Sequence, residues 1–330
     1  MKQFSVALTA AVGAIVLSSV VLAAPAKADN PDLVADAIQD ASQAVAVPAV
    51  DVRIEADRAE ATAGATAVDL PVAASEPLTL TNQSGDELRV TLPFSESAEP
   101  GTAIGETYFG YDNANSTSTV PILREDGILQ ITTVIADATA PVRYEYKFDV
   151  DGGAVIEPAG EGALVWTVTG SFVAAIGAPW AVDALGAALS TRYEIEDGAL
   201  VQYVDHTSST EFPVVADPAV CGNIFSGITT GTENGQARYG LVASACGTSI
   251  KTGLLFGGGV VGVGIGQQVM INAGWNEAIR LVPALTTKAS LRQQYDCHTI
   301  YAAFKNPWNL EKFRPNKAGW PTAPQQCNWS

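Results

Sequence analysis

The sequence predicts an α+β protein in which an amino-terminal antiparallel β-sandwich precedes a small, mainly helical, disulfide-bonded and glycine-rich domain. Three observations carry this prediction: apolar and polar residues alternate through much of the first two thirds, all four cysteines lie beyond residue 220, and the charge balance changes sign near residue 218. The chain has 330 residues, 47% of them hydrophobic. It can therefore bury a sizeable core, and its length suggests about two domains.

Residues 1–28 have the features of a cleavable secretory signal. Lys2 supplies a positive start, residues 4–21 form an uncharged apolar run, and Ala26-Lys27-Ala28 offers a small-x-small cleavage site. The alternative is a retained membrane anchor, which the helix-breaking Pro25 disfavours. We therefore predict a secreted or envelope-associated protein whose cysteines are oxidised.

Residues 29–75 are predicted to form a short helix and a linker. Asn30 can cap the helix, Pro31 suits its first position, and Val34 and Ile38 fall on one face. From residue 76 to 218 the apolar period becomes two, as in a strand with one buried face. The predicted strands lie at residues 88–92, 128–135, 142–150, 164–168 and 172–176, with a hairpin at Asp197-Gly198.

The net charge of −17 is distributed unevenly along the chain. Residues 29–218 contain 31 acidic and 7 basic residues, a net charge of −24, whereas residues 219–330 contain 4 and 9, a net charge of +5. We therefore divide the chain into an acidic β domain up to residue 218 and a basic domain over residues 219–330. The asymmetry predicts that the two domains are partners of each other or have different partners, the alternative being that acidity only keeps the protein soluble. The overall charge argues against nucleic acid as a partner.

The four cysteines are predicted to form two disulfides. Four cysteines allow three pairings, and proximity in sequence favours Cys221 with Cys246 and Cys297 with Cys327. No C-x-x-C pair is present and His298 directly follows Cys297, which suits tetrahedral zinc poorly. We therefore predict no metal site.

The residues from Thr252 to Ala273 form an uncharged segment with seven glycines. Two alternatives remain open: the glycines let backbones touch inside a folded domain, or they let helices pack together in lipid. Lys251 and Trp275 flank the segment as interfacial anchors would. The glycines that carry the small-x-x-x-small spacing are Gly253, Gly257, Gly258, Gly262 and Gly266.

The same segment contains a formal G-x-G-x-x-G at Gly257, Gly259 and Gly262. A dinucleotide site also requires a strand, a turn and a helix within a parallel β-α-β unit, and no such alternation follows. No cofactor is therefore predicted.

The carboxy terminus resembles a secreted actinobacterial family that is catalogued only as a domain of unknown function. The resemblance rests on the patterns R-x-Q-x-x-C-H, W-N-L-E-x-x-R-P and C-N. More loosely, the acidic part is similar to a β-rich leader module that ends in P-V-V-A-D-P and precedes varied carboxy-terminal domains. The resemblance implies a modular protein and supplies no catalytic residue. The motif residues are Arg292, Gln294, His298, Trp308, Arg314 and Pro315.

The leading functional hypothesis is a non-enzymatic, bacteriocin- or toxin-like protein whose acidic domain solubilises or masks a cationic domain that acts on membranes or envelopes. An alternative is an extracellular envelope or matrix binding protein without membrane activity. A third hypothesis is a hydrolase in which His298 and Glu311 form an acid–base pair, although no nucleophile accompanies them. The oligomeric state is left open.

Overall fold

The computed structural model describes residues 30–42 and 47–317, together with Cys327 and Trp329. The predicted signal sequence lies outside the described residues. The elements up to residue 149 are α1 (Pro31–Ser42), β1 (Arg53–Ile54), β2 (Arg58–Ala63), β3 (Thr66–Pro71), β4 (Leu78–Thr81), β5 (Glu87–Thr91), β6 (Thr102–Ile104), β7 (Tyr108–Asp112), β8 (Thr117–Leu123), β9 (Leu129–Ile135) and β10 (Arg143–Asp149).

The next strands complete the acidic part and begin the basic part. They are β11 (Ala154–Ala159), β12 (Gly162–Thr167), β13 (Phe172–Ile176), β14 (Trp180–Val182), β15 (Thr191–Glu196), β16 (Ala199–Val204), β17 (Val214–Asp217), β18 (Ala219–Cys221), β19 (Phe225–Glu233) and β20 (Gln236–Ala243). The remaining elements are α2 (Ala245–Thr252), a 3-10 turn (Leu254–Phe256), α3 (Gly259–Val269), a π-helical turn (Met270–Gly274), α4 (Trp275–Leu281), a second 3-10 turn (Pro283–Thr287), α5 (Ala289–Tyr301) and β21 (Trp308–Glu311).

Two antiparallel sheets form a sandwich-like domain, which confirms the predicted fold class. An eight-stranded sheet has the order β1-β2-β3-β4-β5-β10-β16-β15, and a ten-stranded sheet has the main path β11-β12-β13-β18-β9-β8-β7-β6, with β14 and β17 attached beside β9. Val90 and Tyr146 of the first sheet pack in one core with Ile131 and Val165 of the second. Burial of these apolar faces is the main stabilisation of such a sandwich.

Helix α1 covers the outer face of the ten-stranded sheet. Val34 and Ile38 pack with Val134 of β9 in a separate apolar cluster. Every residue of β8 and β9 is buried as a result, because these strands have the sandwich core on one side and α1 on the other. The predicted face of α1 is the one that the structure buries.

The sheet extends further toward the amino terminus than predicted. The sequence predicts a helix and a linker over residues 29–75, but β1, β2 and β3 lie within this range and belong to the eight-stranded sheet. The buried face of β2 consists of Ala59, Ala61 and Ala63. Alanine gives little apolar contrast and has a low strand propensity, so the alternation is easily missed.

The predicted boundary at residue 218 falls inside the ten-stranded sheet. Strands β17 and β18 both pair with β9, and Pro218 lies between them with its carbonyl accepting the Ile131 N–H at 3.0 Å. Strand β18 also pairs with β13. The sheet therefore includes residues 219–221, because Pro218 continues along β9 instead of turning away.

The carboxy-terminal domain is small, largely helical and crosslinked, as predicted. The disulfides are Cys221–Cys246, which joins β18 to α2, and Cys297–Cys327, which holds α5 to the chain end. The domain also contains a three-stranded sheet, β19-β20-β21, that was not predicted. Its hairpin turns at Asn234-Gly235 with φ of 47° and 73°, the left-handed pair that Asn-Gly favours.

Candidate functional site

The glycine-rich segment leaves α2 at a tight corner and then enters one continuous helical stretch. After α2 it forms the first 3-10 turn, then α3 of 11 residues, then the π-helical turn. No helix in the described ranges is long and apolar enough to cross a bilayer.

The glycines bring α2 and α3 into backbone contact. A Cβ at Gly266 would lie 1.9 Å from the Ile250 carbonyl oxygen, and one at Gly262 would lie 2.5 Å from that of Gly253. Such distances exclude any side chain without movement of the helices. These glycines therefore allow the backbones of α2 and α3 to touch, which both alternatives left open by the sequence require.

The residues predicted to flank a membrane helix pack within the domain. Lys251 is 3% exposed, and its Nζ donates to the Lys305 carbonyl at 2.9 Å. Burial lowers the pKa of this amine. Trp275 contacts the Tyr295 ring edge to face, and the Arg292 guanidinium lies 4.9 Å from its ring centre.

The corner between the first 3-10 turn and α3 exposes three large apolar side chains. Gly257 and Gly258, with φ of 87° and 71°, reverse the chain there. The exposed fractions are 70% for Leu254, 92% for Val260 and 69% for Val261. We call these three residues the apolar tip.

The opposite side of this corner is docked on the acidic domain. Leu255 and Phe256 are buried in a core that also contains Ala159 and Leu164 of the sandwich. The Ala178 N–H donates to the Leu255 carbonyl at 2.9 Å. Because the two domains share this core, the basic domain is not an independent unit.

A groove runs between β12 and α3 beside the docked corner. Leu164 and Trp166 form one wall, and Ile265 and Val269 form the other. Its volume is about 310 Å³, and few polar groups line it. The groove continues the apolar surface between the two domains.

Glu277 of α4 holds the start of β19 within the basic domain and also reaches the acidic domain through Gln83. Its carboxylate accepts the backbone N–H groups of Ile224 and Phe225 at 2.9 to 3.1 Å and the Gln83 side-chain amide at 2.7 Å. Glu277 is 6% exposed, and desolvation raises its pKa while these donors oppose the shift. The sequence offered no signal for this role, because the donors are distant backbone groups.

Opposite charges make a limited contribution to the domain contact. Arg280 of the basic domain pairs with Asp86 of the acidic domain at 2.7 Å, and both side chains are about half exposed. It is the one salt bridge between the two domains within the described ranges. Exposed pairs of this kind contribute little stability, so apolar contact and the hydrogen bonds that Gln83 and Asn223 make across the contact dominate the docking.

The family-motif residues gather where α5 packs on β21. Gln294 is fully buried, and its amide accepts the Glu311 N–H at 2.8 Å and donates to the Glu311 carbonyl at 3.1 Å. The Gln294 side chain thus makes the same pair of hydrogen bonds to the backbone of β21 that a neighbouring β-strand would make. Arg292, two residues earlier in sequence, pairs with Asp296 at 2.7 Å.

His298 and Trp308 form a stacked pair within this cluster. Their ring centres are 5.9 Å apart with an interplanar angle of 12°, and His298 Nε2 lies 3.2 Å from the Asn309 carbonyl. The indole N–H of Trp308 donates to the Ala302 carbonyl at 3.1 Å. Both side chains are 2% exposed.

Arg314 ties Glu311 to the end of the chain. Its guanidinium pairs with the Glu311 carboxylate and also donates to the Trp329 carbonyl. The Trp329 indole in turn donates to the Pro315 carbonyl at 3.0 Å. The motif residues thus hold β21 and the chain end on α5.

His298 and Glu311 take part in ring stacking, hydrogen bonding and ion pairing inside the folded domain. Both side chains are buried, and the Glu311 carboxylate contacts Arg314. Within the described ranges, no group of three or more His, Cys, Asp or Glu is placed to hold a metal ion. The cluster offers packing and hydrogen bonding, whereas the apolar tip is exposed to solvent.

The comparisons agree with the resemblance seen in the sequence. No curated protein and no solved structure matches the chain. One family model does match, over residues 260–330, a range that begins at the apolar tip and includes α4, α5 and β21. The carboxy-terminal region of this chain is therefore similar to the family described as "Protein of unknown function (DUF2599)", which confirms the predicted kind of family.

Proposed function

We propose that this is a secreted, non-enzymatic two-part protein whose carboxy-terminal domain binds anionic membrane or envelope surfaces through the apolar tip. The acidic domain carries the basic domain and covers its docking face. Two disulfides are compatible with an oxidising compartment.

The observation that carries the proposal is the exposure of Leu254, Val260 and Val261. Large apolar side chains gathered at one exposed corner are typical of interaction sites. Phe304, 90% exposed, and Lys305 follow α5, and the Lys305 carbonyl accepts a hydrogen bond from Lys251, three residues before Leu254. An aromatic ring and a cation beside exposed apolar residues suit the membrane interface.

The charge of the two domains supports one orientation on such a surface. Residues 29–218 carry −24 and residues 219–330 carry +5. An anionic lipid surface repels the acidic domain and attracts the basic one, so the carboxy-terminal domain faces the lipid. Because the domains share a core, the acidic part also keeps Leu255 and Phe256 away from solvent.

Vesicle binding by the full mature chain tests the proposal. We expect the protein to sediment with vesicles that contain phosphatidylglycerol, and less with pure phosphatidylcholine. The double substitution Val260→Asp and Val261→Asp should abolish sedimentation, since it places two charges at the insertion point. Leu185→Asp is the matched control, because Leu185 is 78% exposed on the acidic domain. Absence of binding by the parent chain, or unchanged binding by the double variant, would refute the proposal.

A further inference from the structure

The junction between β17 and β18 contains a buried Asp-Pro peptide. Asp217 ends β17, which lies between β14 and β9, and Pro218 leads directly into β18. The sequence singled out this dipeptide as the end of the acidic domain. The function proposed above assigns it no role.

Asp217 is an unusual residue for the interior of a sandwich. It is 1% exposed, and within the described ranges neither carboxyl oxygen has a hydrogen-bond partner. Burying such a group without partners costs free energy, and an unexplained case often marks a functional residue. Desolvation raises the pKa of Asp217 well above its ordinary value, opposed by the charge of Arg124. The Asp217 carboxyl therefore keeps its proton to a higher pH than an exposed aspartate does.

The backbone carbonyl of Asp217 accepts a hydrogen bond from a buried tyrosine. The Tyr193 hydroxyl lies 3.2 Å from this oxygen. Desolvation raises the pKa of Tyr193 well above its ordinary value, with Asp217 and Tyr146 adding to the shift, so the phenol remains a donor. A fixed donor on a carbonyl oxygen stabilises the negative charge that develops there when the carbonyl carbon is attacked.

We propose that Asp217–Pro218 is a self-cleaving bond, with the Asp217 carboxyl as nucleophile and Tyr193 as the oxyanion donor. A carboxyl oxygen of Asp217 attacks the carbonyl carbon of the same residue, which forms a five-membered cyclic anhydride. The bond from that carbon to the Pro218 nitrogen breaks, and the carboxyl proton passes to the nitrogen. Solvent water then opens the anhydride and leaves two carboxyl groups on residue 217.

Two features of the dipeptide favour this step. The nucleophile is attached to the residue that it attacks, so no entropy is lost in bringing the reactants together. The Pro218 nitrogen leaves as a secondary amine and carries no N–H in the intact chain. The fold adds the Tyr193 donor and a neutral carboxyl that supplies its own proton.

Cleavage would leave the two pieces associated without a covalent link. Both disulfides lie on the carboxy-terminal side of the bond. Strand β18 would remain paired with β9 and β13, and Glu277 would still bond Gln83. Cleavage therefore converts the protein into two chains held together by non-covalent contacts, and this outcome does not depend on membrane binding.

Intact mass measurement of the purified mature chain over days tests the proposal. We expect pieces 29–217 and 218–330, formed at mildly acidic to neutral pH at least about tenfold faster than from the same chain in denaturant. A chain that stays whole, or that cleaves equally fast when denatured, would overturn it.

Three substitutions test the assigned roles. Asp217→Ala should abolish cleavage. Tyr193→Phe should slow it about tenfold or more while leaving the circular dichroism unchanged, since only one hydroxyl is lost. Asp205→Asn, at an exposed carboxyl nearby in sequence, should leave the rate unchanged. Persistent cleavage at this bond in Asp217→Ala would overturn the proposal, and a folded Tyr193→Phe variant with the parent rate would remove Tyr193 from it.

Discussion

Gln83 and Glu277 lie 194 residues apart in the chain, and a hydrogen bond of 2.7 Å joins their side chains. The same carboxylate accepts the Ile224 and Phe225 N–H groups at the start of β19. One side chain of α4 thus connects the eight-stranded sheet, the hairpin β19–β20 and the helical part of the basic domain. The two domains are joined by specific side-chain contacts as well as by the chain that continues along β9 through Pro218.

Glu277→Ala should destabilise the protein by about 3 kcal/mol, because it leaves buried backbone and amide donors without an acceptor. Denaturant unfolding of the full chain measures the change. Glu233→Ala, at a partly exposed carboxylate of the hairpin, is the control and should change stability by less than about 0.5 kcal/mol. A similar small effect at Glu277 would contradict its role in joining the domains.

Gly266→Ala and Gly264→Ala, both in α3, should have opposite effects. A Cβ at Gly266 meets the Ile250 carbonyl, so the substitution should cost about 1 to 3 kcal/mol or more. A Cβ at Gly264 meets nothing within 4 Å, and alanine there should stabilise α3 by up to about 1 kcal/mol. Thermal unfolding of the two variants gives the comparison, and equal effects would show that α2 and α3 are not in backbone contact.

Gln294→Leu should destabilise the basic domain by about 2 to 3 kcal/mol, since it leaves the Glu311 N–H and carbonyl without their partner. Gln293→Leu is the matched control, because that neighbouring amide bonds Lys317 near the surface. Urea unfolding followed by tryptophan fluorescence reports on Trp308 in the same cluster. Equal losses in the two variants would argue against the bonding that we assign to Gln294.

Asp217 should make stability depend on pH. Its pKa is raised in the folded protein, so the folded chain retains a proton that the unfolded chain releases above the ordinary value of 3.8. The free energy of unfolding should therefore fall as pH rises from that value toward the folded-state pKa, by up to about 1.4 kcal/mol per pH unit. Asp217→Asn should remove this slope in urea titrations over mildly acidic to neutral pH, and an unchanged slope would place its origin elsewhere.

The sequence predicts correctly those parts of the fold in which apolar residues alternate clearly with polar or charged ones. Strand β10 alternates tyrosine and phenylalanine with charged residues, and the structure buries Tyr144, Tyr146 and Phe148. The cysteine pairing follows proximity in sequence. The alternation does not reveal strand β2, because its buried face is alanine. The hairpin β19–β20 is not among the predicted strands, although Asn234-Gly235 is a strong local turn signal.

The candidate site was only partly predictable for a different reason. The glycine spacing marks a close-packed segment, but spacing alone does not distinguish lipid from a folded domain as the environment. The backbone contact of Gly266 with Ile250 depends on how α2 and α3 cross, which the local spacing does not specify. Glu277 and Tyr193 gain their roles from backbone groups distant in sequence, for which no local pattern exists.

The entry of the apolar tip into lipid is tested most directly with a tryptophan placed at Val260. In the full mature chain bearing Val260→Trp, we expect vesicles of anionic brominated lipid to quench the added emission, measured as the difference from the parent chain. Leu185→Trp on the acidic domain should show no such quenching, because lipid repels that domain. Quenching at both positions, or at neither, would contradict the claim that the tip of the carboxy-terminal domain binds the membrane.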